Sequence, residues 1–300
     1  MADADDTGPG PRLRAGFLPT GPVAPAVAPA GPAGAGTIGA QLRAGAAPTD
    51  MRRAWSWLGF AAAGFLAGQI VAAIFAEVTA AVAGKAGNLT AIARLSAPPE
   101  WYVVSTLFGV WVGFGGSAVL ASALRGRSGW VRDLGLRFRP IDLLGVPIGV
   151  AGQYLIALMY LPFRSHIHDF TQQFQAPGQR LTGGSHGVGF VLIAVLTVVC
   201  APFVEEVFFR GLLLRSLARL FERLPGGAAP AVAVAVTGVL FGLAHAESLQ
   251  LLGLATFGII LAALAYRTGR LGMGMVAHAS FNLVAVISVA SSSGLVHPWS

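Results

Sequence analysis

Hydrophobic residues along this chain do not alternate with polar ones; they run on for long stretches. Seven such stretches, near 55–78, 102–124, 141–162, 187–214, 229–247, 249–266 and 271–292, are apolar enough over enough length to cross a bilayer. A helix needs about 20 residues for that crossing, at 1.5 Å rise each. In lipid every backbone polar group must be satisfied internally, and at this segment length only a helix does so. The pattern predicts an all-α fold: a polytopic transmembrane helical bundle of about seven to eight spans, any eighth being a short or re-entrant segment within 85–100. Gly113, Gly115, Gly116, Pro147 and Pro202 fall inside predicted spans, where Gly and Pro are commoner than in soluble helices. No internal repeat of the transporter kind is visible.

The connectors orient the bundle. Arg52, Arg53, Arg125, Arg127, Arg132, Arg137, Arg139, Arg215, Arg219, Arg223, Arg267 and Arg270 fall on one side, and only Lys85, Arg94, Arg164 and Arg180 on the other, twelve against four. Positive charge gathers on the cytoplasmic side of membrane proteins, so the N-terminus is expected inside and, for seven spans, the C-terminus outside. The stretch 126–140 interleaves arginines with Trp130, Val131, Leu134, Leu136 and Phe138, which suits a connector lying on anionic headgroups. Residues 1–50 are Ala/Pro/Gly-rich without periodicity and read as a disordered cytoplasmic tail. Asp3, Asp5 and Asp6 occupy the place where a signal peptide carries basic residues. The chain then divides into 51–140, N-terminal transmembrane helices with the basic connector; 141–292, a core that carries the chemistry; and 293–300, a short tail.

Composition agrees and excludes some functions. The chain is 55% hydrophobic and only 11% charged, against roughly 25% charged in soluble domains. A net charge of +7 could suggest nucleic acid, but no dense basic patch with stacking aromatics accompanies it, so no nucleic-acid partner is expected. The single cysteine, Cys200, excludes a disulfide framework and a CxxC metal site. Arginine outnumbers lysine nineteen to one, which suggests a GC-rich genome; the expected location is a bacterial plasma membrane, multi-pass.

Against this apolar background Glu205 and Glu206 stand out, with Arg210 one turn on, in Val-Cys-Ala-Pro-Phe-Val-Glu-Glu-Val-Phe-Phe-Arg-Gly. A carboxylate at mid-bilayer costs about 3 kcal/mol on insertion scales, and ionisable groups there are functional by default. Two further pairs share the spacing of four: Phe241 with His245, and His278 with Asn282. Four residues is one helical turn, so each pair projects from one face of its helix and the three faces can meet in a bundle core. Each also has a plain structural reading. Glu206 and Arg210 could be a fixed ion pair; His278 and Asn282 could hydrogen-bond between helices; His245 could be an interfacial histidine. One arginine does not neutralise two carboxylates, however, which leaves Glu205 free to act as a base.

Other chemistries lack their residues. There is no His-Glu-x-x-His and no Gly-x-Gly-Asp, and Ser291, Ser292 and Ser293 have no base near them in sequence. His166, His168 and Asp169, and the glycine-rich 183–187, read as polar loops.

The three signatures Glu205-Glu206-x-x-x-Arg210, Phe241-x-x-x-His245 and His278-x-x-x-Asn282 resemble, in order, those of the CPBP family, which includes CAAX prenyl endopeptidases, abortive-infection proteins and bacteriocin self-immunity proteins. The flanking Phe-Arg-Gly-Leu-Leu after the acids and Tyr-Arg-Thr-Gly before the last motif also fit, and the likeness covers roughly 140–290. The resemblance implies a glutamate-dependent intramembrane endopeptidase acting on a peptide or membrane-protein substrate in the lipid bilayer. Glu205 and His245 would activate water, and His278 and Asn282 would stabilise the oxyanion. Glu206, Arg210 and Phe241 would support them. No cofactor is compelled. Zinc is left open, with Glu205, His245 and His278 as candidate ligands. Bacteria generally lack prenylated CAAX proteins, so small peptides or membrane-protein termini are the expected substrates. A non-catalytic scaffold or immunity protein, and a proton-coupled transporter, are the competing functions.

Overall fold

A computed structural model of the chain describes residues 36–182 and 185–292. Backbone contacts divide the chain into Met1–Pro32 and Ala33–Ser300. The first unit lies outside the described residues, as do 33–35, Gly183, Gly184 and the 293–300 tail. Among the described residues there is no strand. The helices are α1 (Ile38–Arg43), α2 (Met51–Val82), α3 (Leu89–Ala93), α4 (Glu100–Arg125), α5 (Trp130–Asp133), α6 (Gly145–Tyr160, entered by a tight turn Pro140–Leu144), α7 (Phe170–Thr182), α8 (Val188–Leu220), α9 (Ala229–Ala244), α10 (Leu251–Thr268) and α11 (Gly272–Ser292). Six helical segments, containing α2, α4, α6, α8, α10 and α11, are long and apolar enough to cross a membrane, and α9 is a shorter apolar helix. The chain is a multi-pass, all-helical membrane protein.

Long apolar helices gain little from hydrophobicity against one another in lipid, so close backbone approach has to supply the packing. Glycine makes that approach available at three helix pairs. A Cβ on Gly113 of α4 would run into the backbone of Gly68 on α2; one on Gly149 of α6 would meet the Ala277 carbonyl of α11. On α9 and α10 a Cβ at Gly258 would lie 2.8 Å from the Gly238 carbonyl. Helix α8 runs between these pairs, and every residue from Glu206 to Ala218 on it is buried.

Two ends of the bundle can be told apart by their contacts. At one, the Arg270 guanidinium grips Asp142 (Nη2 to Oδ1, 2.6 Å), the Ser216 hydroxyl donates to the Ala54 carbonyl (2.7 Å), and Leu271 N–H donates to the Gly135 carbonyl (3.0 Å). At the other, the Tyr160 hydroxyl donates to the Leu249 carbonyl (2.5 Å) and Gln250 donates to the Phe174 carbonyl (2.6 Å).

Three local features depart from the hydropathy pattern. Helix α8 is not uniform: it widens into π turns at Leu196–Cys200 and Val207–Leu213. The first precedes Pro202, and Ala201 N–H donates to the Leu196 carbonyl five residues back. Proline has no N–H, so the next bond of that series, to the Thr197 carbonyl, cannot form. The second is α9. Its stretch, expected to run 229–247 as a full span, stops at Ala244; sixteen residues reach about 24 Å, short of the ~30 Å hydrocarbon core. His245 caps it, and Ala246 turns the chain at φ 54°. The third is α1, inside the stretch expected to be a disordered tail. Thr37 caps it by accepting from Ala40 N–H, and Ile38 and Leu42 are buried. The 85–100 segment holds only the short α3.

Candidate active site

Helix α8 carries Glu205 and Glu206 near its midpoint, on different faces because successive helical residues are about 100° apart. Glu206 is fully buried. Its Oε1 accepts from Arg210 Nη1 at 2.7 Å and lies 3.1 Å from His278 Nδ1. The guanidinium is held from three sides. It donates to Glu206, its Nη2 donates to the Gly258 carbonyl at 3.0 Å, and its carbon sits 4.5 Å over the Phe241 ring. A planar, delocalised cation suits such a slot, where a lysine would lose the second hydrogen bond and the stacked face.

His278, on the second turn of α11, is buried between the two acids. With Nδ1 on Glu206, its Nε2 lies 3.8 Å from Glu205 Oε2. That separation is too long for a hydrogen bond and suits a bridging water. Glu205 Oε2 is buried and has no hydrogen-bond partner among the described residues. A carboxylate oxygen in that state calls for a water or a substrate donor.

His245, at the end of α9, points Nδ1 at the carbonyl of Phe241 one turn earlier, 2.8 Å away. A carbonyl can only accept, so Nδ1 carries a proton, and in the neutral ring Nε2 then keeps its lone pair. Its ring meets Phe241 edge-on at 4.7 Å, and Phe241 meets His278 in the same way at 5.5 Å. Phe241 thus packs against Arg210 and both imidazoles at once. Asn282, one turn beyond His278, donates from Nδ2 to the Thr197 carbonyl at 2.8 Å. This is the carbonyl that Pro202 leaves without a backbone donor. The anchored amide retains a second N–H and its own carbonyl.

Glu205, Phe241, His245, His278 and Asn282 all line one cavity of about 820 Å³. Its other walls are mostly apolar and come from α6, α7, α10 and the rest of α11, with Leu107 of α4 and Thr197 and Ala201 of α8. A pocket of about 590 Å³ at the 164–172 loop holds none of these residues. The exposed His168–Asp169 contact at 2.9 Å belongs to that same loop. Of the residues expected to act together, the structure brings Glu205, Phe241, His245, His278 and Asn282 to the cavity, and places Glu206 and Arg210 behind them.

A zinc site formed by Glu205, His245 and His278 does not fit this arrangement. Among the described residues no three His, Cys, Asp or Glu side chains are grouped to hold one ion. In both imidazoles Nδ1 is engaged, His278 with Glu206 and His245 with its own helix, and among the described residues Nε2 of neither makes a hydrogen bond, Glu205 Oε2 standing 3.8 Å from that of His278.

Four residues of the site were not legible as such. Gly258 supplies the carbonyl that holds Arg210, and Gly274 lies so close that a Cβ there would stand 2.9 Å from Glu206 Oε2. Phe257 flanks His278 at 6.0 Å. Thr197 holds Asn282, and its own hydroxyl is buried without a partner among the described residues. Pro202 was the one available signal for Thr197, since an intrahelical proline always leaves a carbonyl free.

Comparison with curated proteins finds no match, and comparison with solved structures finds none. Residues 187–284 do match a family model, described as type II CAAX prenyl endopeptidase Rce1-like. That stretch runs from the start of α8 to just past Asn282, so it contains Glu205, Phe241, His245, His278 and Asn282. The match supports placing this part of the chain with the CPBP/CAAX proteases, to which it is similar.

Proposed function

We propose that the chain is an intramembrane, glutamate-dependent endopeptidase, in which Glu205 activates a water held between its carboxylate and the imidazole of His278. One observation carries the reading: Glu205 Oε2 is buried beside a cavity, lacks a partner among the described residues, and stands 3.8 Å from His278 Nε2. A water there would be oriented by both groups. Glu205 takes one proton as the water oxygen bonds to the carbonyl carbon of the peptide. The carbonyl oxygen becomes an oxyanion, which the free Nδ2–H of Asn282 and, when protonated, His278 Nε2–H can meet. Collapse re-forms the carbonyl and breaks the C–N bond, and the leaving nitrogen takes the proton from Glu205. Hydrolysis yields one carboxyl and one amino terminus. The Nε2 lone pair of His245 makes it a second acceptor for the water's proton.

Glu206, Arg210 and Phe241 act behind this set. They fix His278 so that its Nε2 points at the reacting centre, as orienting partners do in other hydrolytic sites. The mostly apolar walls suit a peptide or a membrane-protein segment as substrate, in a bacterial plasma membrane. A prenylated C-terminal substrate, as in the family's name, is not required by anything in the lining. A scaffold has no use for an unpartnered carboxylate oxygen facing a cavity, and a proton-coupled transporter lacks its repeat.

The test is cleavage of a peptide library by purified protein in water enriched in heavy oxygen. Wild type, Glu205→Gln and His245→Ala are compared, each with and without a chelator. The expected result is heavy oxygen in the new carboxyl termini with wild type only. Equal turnover by all three proteins overturns the proposal; activity abolished by chelator and restored by a metal ion overturns its metal-independent form.

A further inference from the structure

We infer that the cavity is filled from the non-cytoplasmic face of the membrane, so that its substrate is a peptide segment or protein terminus emerging on that side. The inference rests on the protease reading for what happens in the cavity, but not for where the cavity opens.

Two independent observations lead to it. The first is that the cavity runs towards one end of the bundle only. From Glu205 and His278 it extends past Gln153 on α6, Gln175 on α7 and Gln250 before α10, up to Val289 near the end of α11. All of these lie towards the end marked by the Tyr160–Leu249 and Gln250–Phe174 contacts. Among the described residues, none of the opposite end lines it. That opposite end is sealed by buried side chains: Arg270 on Asp142, and Arg215 donating to the Gly269 carbonyl and to Gln41 of α1. Below Glu205 on α8, residues 206–218 are buried without interruption, so among the described residues α8 lines no opening on that side.

The second observation is charge. The sealed end carries the arginines of the α1–α2, α4–α6, α8–α9 and α10–α11 connections. The open end has only Lys85, Arg94, Arg164 and Arg180, matched in number by Glu77, Glu100, Asp169 and Glu247. An excess of arginine in short loops marks the cytoplasmic side. The sealed end is therefore the cytoplasmic one, and the mouth faces out.

The mouth's chemistry narrows the substrate. Its charged rim is one loose pair, Arg180 with Glu247 at 3.8 Å, side chains 54% and 33% exposed. A neutral rim over apolar walls selects for apolar side chains around the scissile bond and sets no demand for net charge.

The test places single cysteines in a Cys200→Ser background and labels intact cells with a membrane-impermeant maleimide. Glu247→Cys and Arg180→Cys report the rim, Ala285→Cys the cavity wall, and Arg223→Cys the sealed end. The expected result is labelling at 180, 247 and 285 in intact cells, with 223 labelled only after permeabilisation. Labelling at 223 alone in intact cells overturns the inference, and so does an Ala285→Cys variant that stays unlabelled while those at 180 and 247 react. Cleavage by the purified protein is measured separately. Loss of cleavage with the expected labelling would count against the protease and leave the sidedness standing; the converse would do the reverse.

Discussion

The Nδ1 atom of His278 lies 3.1 Å from Oε1 of Glu206, the same oxygen that accepts from Arg210 at 2.7 Å. The imidazole is thereby tied, through one carboxylate, to a guanidinium one turn along α8, and its other nitrogen is presented to Glu205.

A first prediction concerns that tie. Arg210→Ala leaves the Glu206 carboxylate buried without its cation, a change that costs about 3–5 kcal/mol in buried pairs. The double variant Glu206→Leu, Arg210→Met removes both charges and should recover most of that stability. It should nevertheless be inactive, because nothing then orients His278. Thermal unfolding in detergent and peptide turnover, measured on the same preparations, separate the two effects.

Pro202 and Asn282 should be coupled. Pro202→Ala restores an N–H that can reclaim the Thr197 carbonyl for the helix, which competes with the Asn282 amide now bonded there at 2.8 Å. Stability should hold or rise, while the rate falls with little change in KM. Asn282→Ala should lower the rate by about 100- to 1000-fold, the usual loss for an oxyanion donor. If Pro202→Ala has wild-type turnover, the Thr197 anchor does not matter to the reaction.

Gly274→Ala tests the space beside Glu206. The new methyl would stand 2.9 Å from Oε2 of Glu206, and overpacking of this kind typically costs about 1–3 kcal/mol. A lowered unfolding temperature with weakened turnover is expected. The same substitution at Gly115, where a Cβ meets nothing within 4 Å, should leave both unchanged.

His245→Ala should fold normally. The imidazole hydrogen-bonds to the Phe241 carbonyl of its own helix, and His245 is partly exposed to the cavity. Turnover should fall by at least ~100-fold with an unfolding temperature within a few degrees of wild type. A large drop in stability would show instead that the imidazole holds the end of α9 together.

Much of this architecture could be read from residue order alone, because lipid makes long apolar runs unambiguous. The helices holding Glu205, His278 and Asn282 stand where the runs stood. The ends were less legible. Hydropathy alone puts His245 near the outer end of a full span, at odds with Glu205. It continues through 244–247 and gives no sign that Ala246 turns the chain, whereas the structure ends α9 at Ala244 and lets the histidine line the cavity. Helix α1 was hidden for the opposite reason. Ile38 and Leu42 are two apolar residues in a run of Ala, Gly and Pro, and only their burial against the bundle shows them as part of it. The Glu206–Arg210 pair could be read from its spacing of four, but the glycines beside it could not: Gly258 and Gly274 matter for their lack of a side chain, and nothing in their spacing points to Arg210 or Glu206.

The most direct measurement is the single-turnover cleavage rate of a susceptible peptide by Glu205→Gln beside wild type, each shown to have the same unfolding temperature. An amide in place of that carboxylate cannot take the water's proton, so the variant should be slower by about two orders of magnitude or more. Matching rates in two equally folded proteins would contradict a reaction driven by Glu205.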